Sequence, residues 1–205
     1  MSSLFLDTSN KIVYGLLSDD FEWITLKSVQ EKKASRALHA LVFECLEENS
    51  SDIKDLNHVF TLSGPGSYTG VRLAQGFVEV LEWQGFDAFS CRHFDIPRLL
   101  GVSQGAFISR AFKQEAFIYQ WEGSNQQQRL EPEINAARQI KELLKKGVPC
   151  FTSEPGLYNE CVSTYDLLEK EPKNLFSLLK ANKVKSEVFY YRNLEQEFQK
   201  EKKKT

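Results

Sequence analysis

The chain has 205 residues, 41% hydrophobic and 26% charged, enough to bury the core of one domain or two small ones while staying soluble. Its 26 Lys+Arg stand against 28 Asp+Glu, a formal net charge of -2. That balance excludes a broad electropositive surface and strong autonomous binding to nucleic acid, but not a nucleic-acid substrate held by a partner.

Leu4-Phe5-Leu6 is a short apolar run ending in the turn formers Asp7-Thr8-Ser9-Asn10. Ile12 to Leu17 and Phe21 to Leu26 are two further β-rich runs, and the tight connections predict three antiparallel strands. Ala34 to Glu48 follows the helical period, with Ala37, Leu38, Leu41, Val42 and Cys45 on one side. His58 to Leu62 reads as a buried strand, Tyr68 to Gln84 as a helix, and Phe86 to Cys91 as a returning strand. The first half is therefore expected to be an α/β unit on a mixed sheet.

The second half shows a short helix over His93 to Gly101 and strands over Ala106 to Ile108 and Ala116 to Trp121. The polar stretch Ser124 to Gln128 reads as a hairpin tip. Pro132 suits the first turn of a helix running to about Lys146, which Gly147 and Pro149 end. Val148 to Thr152 is a further strand, Asn174 to Ala181 a helix, and Val188 to Tyr191 a last strand. The expected division is residues 1–92, residues 93–193 as an abbreviated copy of the first unit, and a charged tail over 194–205.

No basic leader precedes the first apolar run, and no apolar stretch approaches the ~20 residues that span a bilayer, so a cytoplasmic protein is expected. Cys45, Cys91, Cys150 and Cys161 form no C-x-x-C pair and read as reduced thiols, three of them inside apolar runs.

Residues 60–76, FTLSGPGSYTGVRLAQG, place a glycine turn between strand and helix. Free N–H groups at a helix start make such a turn a candidate anion site, with Gly64, Gly66 and Gly70 granting close approach and Ser67 capping the helix. The same residues serve equally as a structural hinge. Chemical templates fit poorly: no lysine follows for a phosphate-binding P-loop, and the flanks of Ser67 do not match a hydrolase elbow. A loose G-x-G-x-x-x-G at Gly64, Gly66 and Gly70, with Arg92 after the next strand, makes an NADP- or nucleotide-binding enzyme the chemical rival.

The helix after the turn carries two apolar stripes. Val71, Ala74, Phe77, Val78 and Leu81 make one; Leu73, Gly76, Val80 and Trp83 make the other; Arg72, Gln75, Glu79 and Glu82 share a polar wedge. One stripe suffices to cover a sheet, so the second calls for another burial partner, inside this chain or on another. His39 and Phe43 likewise lie off the main stripe of the preceding helix. Catalytic constellations are scarce. His39, His58 and His93 form no metal-binding spacing, and Asp7 reads as a turn cap more readily than as a phosphate-site carboxylate.

The motifs LFLDTSN (residues 4–10), SGPGSYTGVRLAQG (63–76) and VFYYRN (188–193) together resemble the TsaB (YeaZ) family, the middle one most specifically. The resemblance implies a two-lobed α/β actin/hexokinase/Hsp70-like fold with mixed sheets and a role in making threonylcarbamoyladenosine in tRNA. It further implies a noncatalytic partner of the enzyme TsaD, which carries a histidine-pair metal site that this chain lacks. Members pair with TsaD, or with themselves, through first-lobe helices; TsaE, a small ATPase, joins the assembly, and tRNA is reached only through it. On this reading the chain has no catalytic or metal-binding residue and needs no cofactor, with room left for a nucleotide at the partner interface. His39, Phe43, Leu73, Gly76, Val80 and Trp83 are then the interface candidates. Departures from the family pattern are Ala34 where a histidine is common, Arg110-Ala111-Phe112 for an Asp-Ala-Arg segment, and Val188 to Arg192 for a Pro-x-Tyr-x-Arg ending.

Overall fold

The structure is a computed structural model and describes residues 2–30 and 34–191. The charged tail expected over 194–205 and the last two residues of VFYYRN lie outside the described residues.

Ser2–Asp7 (β1), Ile12–Leu17 (β2) and Trp23–Val29 (β3) form the expected antiparallel meander. Ala34–Glu48 (α1) leads to Leu56–Leu62 (β4), which runs parallel to β1. Tyr68–Trp83 (α2) then leads to Asp87–Cys91 (β5), parallel to β4. The resulting sheet has the order β3-β2-β1-β4-β5. Strand periodicity divides its residues: Leu4, Leu6, Tyr14, Leu16 and Val59 meet α1 and α2, while Phe5, Val13, Leu17, Phe60 and Leu62 face the other way.

Asp95–Leu99 (α3) opens the second unit. Gln104–Ala111 (β6), Glu115–Glu122 (β7) and Asn125–Pro132 (β8) form a second antiparallel meander. Ala136–Lys145 (α4) crosses to Cys150–Thr152 (β9), parallel to β6, and Val162–Ser163 (β10) pairs parallel to β9. The order β10-β9-β6-β7-β8 is that of the first sheet read from its other edge. The copy is trimmed between β9 and β10, where a loop over 153–161 stands in place of the helix that joins β4 to β5.

Thr164–Lys170 (α5) and Pro172–Ala181 (α6) follow. Their buried Leu168, Leu175, Phe176 and Leu179 join the core beneath the first sheet, not the second. Phe176 sits 4.8 to 5.7 Å from the rings of Phe60, Trp23 and Phe5. The chain thus returns to its starting sheet after building the second.

Three sequence expectations are corrected. The stretch Ser124 to Gln128 is no loose tip: the turn is tighter, at Gly123 (φ 58°), and Asn125 onward pairs with β7 over its whole length. Pro132 ends β8 instead of starting a helix, and a short 3-10 turn separates it from α4. Val188 to Tyr191 forms no strand. The segment is a strap whose Phe189 N–H donates to the Ser63 carbonyl and whose Phe189 and Tyr191 rings pack on Phe117. Just before it, Ser90 N–H donates to Val184 O and Ser186 N–H to Ser90 O, so the outer edge of β5 is covered. All four cysteines are buried and unpaired, as expected.

Candidate functional site

The glycine turn is filled by the protein itself. A Cβ on Gly70 would stand 2.0 Å from the Thr8 carbonyl oxygen, and one on Gly66 2.6 Å from the Ser9 backbone oxygen. Ser67 N–H donates to Ser9 O at 2.7 Å, and the Ser67 hydroxyl caps α2 by accepting from Gly70 N–H. Gly64 (φ 95°) has no room for a side chain either, because the Phe189 carbonyl lies 2.7 Å from where its Cβ would be. The close approach that Gly64, Gly66 and Gly70 allow is therefore to the β1–β2 turn and the strap, with Ser67 as the cap of α2. Arg92, the other half of the dinucleotide pattern, donates to Glu187 O and lies over the Phe94 and Phe189 rings.

Behind that turn the two lobes meet in a buried polar cluster. Asp7, at the end of β1, accepts from Ser9 N–H at 2.8 Å, the turn-capping contact its position predicts. Its second oxygen accepts from Tyr165 Oη at 2.6 Å and lies 3.3 Å from His93 Nε2. His93 Nε2 is also 2.9 Å from Ser9 Oγ, while Nδ1 is 3.0 Å from Thr164 Oγ1. The Thr164 hydroxyl donates to Thr152 O, so Nδ1 must be the donor toward it. Burial pushes the Asp7 carboxyl up, but the His93 hydrogen bond and charge, with Tyr165 and Ser9, outweigh it and hold the carboxyl below its ordinary range.

A serine beside a histidine and an aspartate invites a nucleophilic reading, but the geometry is wrong for one. Serine and carboxylate crowd the same ring nitrogen, whereas a triad puts them on opposite ones. Asp7, Ser9 and His93 are each 0% exposed. The cluster ties Asp7 and Ser9 of the β1–β2 turn to His93 after β5 and to Thr164 and Tyr165 of α5. Among the described residues no three His, Cys, Asp or Glu side chains gather as a metal site, and no helix is long and apolar enough to cross a membrane.

The α1–α2 face carries exposed apolar side chains. Trp83 is 85% exposed, Phe43 50% and Val80 48%. The two helices lie side by side, with the exposed His39 ring 5.1 Å from Phe77. A Cβ on Gly76 would meet nothing within 4 Å. Leu73 differs from its stripe-mates: it is half-buried against the first core. The structure thus divides α2 as its periodicity predicts. One stripe, Val71, Ala74, Phe77, Val78 and Leu81, is buried; of the other, Val80 and Trp83 are exposed and Leu73 and Gly76 half-buried.

Sequence reasoning missed the joining cluster. His93, Ser9, Thr164 and Tyr165 carry no local pattern, since the contacts run between residues 71 to 158 positions apart.

Two five-stranded mixed sheets with the same order, helices on their faces and a polar junction between them define a two-lobed actin-like α/β fold. An uncharacterised Pseudomonas aeruginosa protein with similarity to peptidase YeaZ superposes with a TM-score of 0.62 at 18% identity, over 93% of this chain and 99% of that one. YeaZ from Pseudomonas aeruginosa gives 0.58 at 18%, over 92% and 97%. The ethanolamine utilization protein EutJ from Carboxydothermus hydrogenoformans gives 0.50 at 16%, over 87% and 89%. In sequence, the tRNA threonylcarbamoyladenosine biosynthesis protein TsaB of Bacillus subtilis (strain 168) is 36% identical over 88 residues. That match takes in 40% of this chain and only 37% of the relative's length. No protein-family model matches the chain. The chain resembles the TsaB (YeaZ) family in sequence over part of its length and in fold over nearly all of it.

Proposed function

We propose that this protein acts in tRNA threonylcarbamoyladenosine biosynthesis as a noncatalytic partner of TsaD, docking through the α1–α2 face. The observation that carries the reading is the second stripe of α2, which the protein's own fold leaves in water at Val80 and Trp83. The likeness to TsaB from Bacillus subtilis supplies the pathway. The sealed Ser9–His93 pair and the self-filled glycine turn favour docking over a nucleotide-dependent enzyme.

On this reading docking steadies the productive state of TsaD, TsaE joins the assembly, and tRNA is met only through the complex. Phe43, Val80 and Trp83 supply the apolar contact, and Gly76 admits a partner helix close to the α2 backbone. Large exposed aromatics at such a face are the residues that dominate binding energy. Trp83→Ala should weaken TsaD binding by about 2 kcal/mol or more, about thirtyfold.

The direct test is Val80→Glu on the full chain, co-expressed with TsaD. The variant should keep its circular dichroism spectrum and lose co-purification. Wild-type yield of the complex would place the interface elsewhere. Light scattering of the chain alone separates self-association through the same face, which Val80→Glu should also abolish.

A further inference from the structure

The four cysteines differ in their surroundings. Cys45 lies in the core between the first sheet and its two helices, and Cys91 in the core on the other face of that sheet. Cys150 and Cys161 share the second lobe's core with Ile140 and Leu143 of α4. Both are buried.

These two also stand side by side. β9 and β10 run parallel, with Val162 opposite Phe151 and Ser163 opposite Thr152. The same register, carried back one residue, sets Cys161 beside Cys150. Neighbouring strands lie about 4.7–4.9 Å apart, within the Cα separation of about 4.4–6.8 Å that a disulfide accepts. On its other side Cys150 pairs with Ala106 of β6, so its thiol neighbour across the sheet is Cys161. The two sulfurs are inequivalent. Cys161 donates a hydrogen bond to Cys150, which draws the Cys150 thiol below its ordinary value against burial; the same bond, with burial, pushes Cys161 up. The thiolate is the nucleophilic form, so an attacking sulfur has a second sulfur beside it.

We propose that Cys150 and Cys161 are a dithiol site that a hydroperoxide converts into an intrachain disulfide, clasping β10 to β9. The Cys150 thiolate attacks a peroxide oxygen, the O–O bond breaks, and a sulfenic acid forms; with hydrogen peroxide the leaving hydroxide takes up the proton that Cys150 released. The Cys161 sulfur then attacks the sulfenic sulfur: the S–S bond forms, the S–O bond breaks, and hydroxide leaves with the Cys161 proton as water. Two thiols lose two electrons, and hydrogen peroxide is reduced to two waters. The pair lies under the edge strand of its sheet, only two residues long, and such a segment opens locally at low cost, which admits a reagent this small. The clasp would hold more than β10. The loop between the cysteines carries Ser153, which accepts from Asn10 Nδ2 at 2.8 Å, and Glu154, which accepts from Arg110 N–H at 2.6 Å. β10 leads directly into Thr164 and Tyr165 of the polar joint. The site lies in the second lobe, so it stands whether or not the α1–α2 face docks TsaD.

The test treats the reduced full chain with hydrogen peroxide in native buffer, then unfolds it, labels free thiols with N-ethylmaleimide and maps the peptides. The product should be lighter by two hydrogen atoms before labelling, take label at Cys45 and Cys91 only, and yield a peptide linked through Cys150 and Cys161. Dithiothreitol should restore label at all four cysteines. The linked chain should melt about 5 °C above the reduced one, as closing a loop of this length predicts. Cys161→Ala removes the second sulfur, and peroxide should then leave Cys150 as a sulfenic acid that dimedone captures; the wild-type map decides the matter even if that variant folds poorly. Three results each overturn the proposal: label at all four cysteines after treatment, a linkage through Cys45 or Cys91, or a linked chain that melts no higher than the reduced one.

Discussion

Gly70 and Gly76 share one helix and are glycine for different reasons. A Cβ at 70 would collide with the Thr8 carbonyl, a backbone atom that can move only with the β1–β2 turn. Gly70→Ala should therefore destabilise the chain by ~1–3 kcal/mol, the usual penalty for overpacking, seen as a lower urea midpoint. At 76 a Cβ meets nothing. Gly76→Ala should gain ~1 kcal/mol from helix propensity and raise the melting temperature by about 2–4 °C for a chain of this size. On the docking reading the same substitution weakens TsaD binding, because the added methyl holds the partner backbone off. On the same reading, a glycine that relieves no strain within the free protein is kept for the partner helix that approaches it. Scanning calorimetry with a pull-down on the one variant separates the two effects.

At the scale of elements, α6 shows what the second half contributes to the first. Phe176 is 1% exposed and packs among Phe5, Trp23 and Phe60, so it is part of the first sheet's lower core. Phe176→Ala should cost ~3–5 kcal/mol, and the loss should appear in the Trp23 fluorescence transition as well as in the global one. The helix was legible from its apolar spacing; the sheet it serves was not, because nothing local in Asn174 to Ala181 says where the chain has gone. The first lobe read well, since its strands alternate and its helices carry clean stripes. The polar strand β8 did not, since Asn125 to Gln128 are exposed on both faces and only pairing with β7 makes them extended. The strap read as a strand because Val188 to Tyr191 has strand composition, yet its backbone is used to cap the turn at Ser63. For the candidate site the division is similar. The exposure of Val80 and Trp83 was legible from the 3.6-residue period, whereas the His93 cluster exists only through contacts between distant segments.

At the scale of the whole molecule, the Asp7–His93–Tyr165 cluster is the polar joint between the lobes. It ties the end of β1 to the connection after β5 and to α5, three segments that meet only when both sheets are assembled. The Asp7 carboxyl is held below its ordinary value, with burial opposing and the His93, Tyr165 and Ser9 contacts prevailing. A carboxyl depressed in the folded state contributes stability that is complete above its unfolded pKa of ~3.9, and that is lost as pH falls through the folded value. The joint should therefore hold at full strength from pH 7 to about pH 5 and weaken below about pH 4. Asp7→Asn keeps the size and one acceptor but removes the charge, and should cost about 1.5–3 kcal/mol at neutral pH, the worth of hydrogen bonds to a charged group. Urea unfolding of both proteins across pH 7 to 3 reads the difference directly. The gap should stay level down to about pH 5 and narrow below pH 4 as the wild-type carboxyl takes up its proton. A gap that stays constant to pH 3 would mean that Asp7 acts as a neutral hydrogen-bonding group, and that the lobes are joined by the surrounding rings instead of by charge.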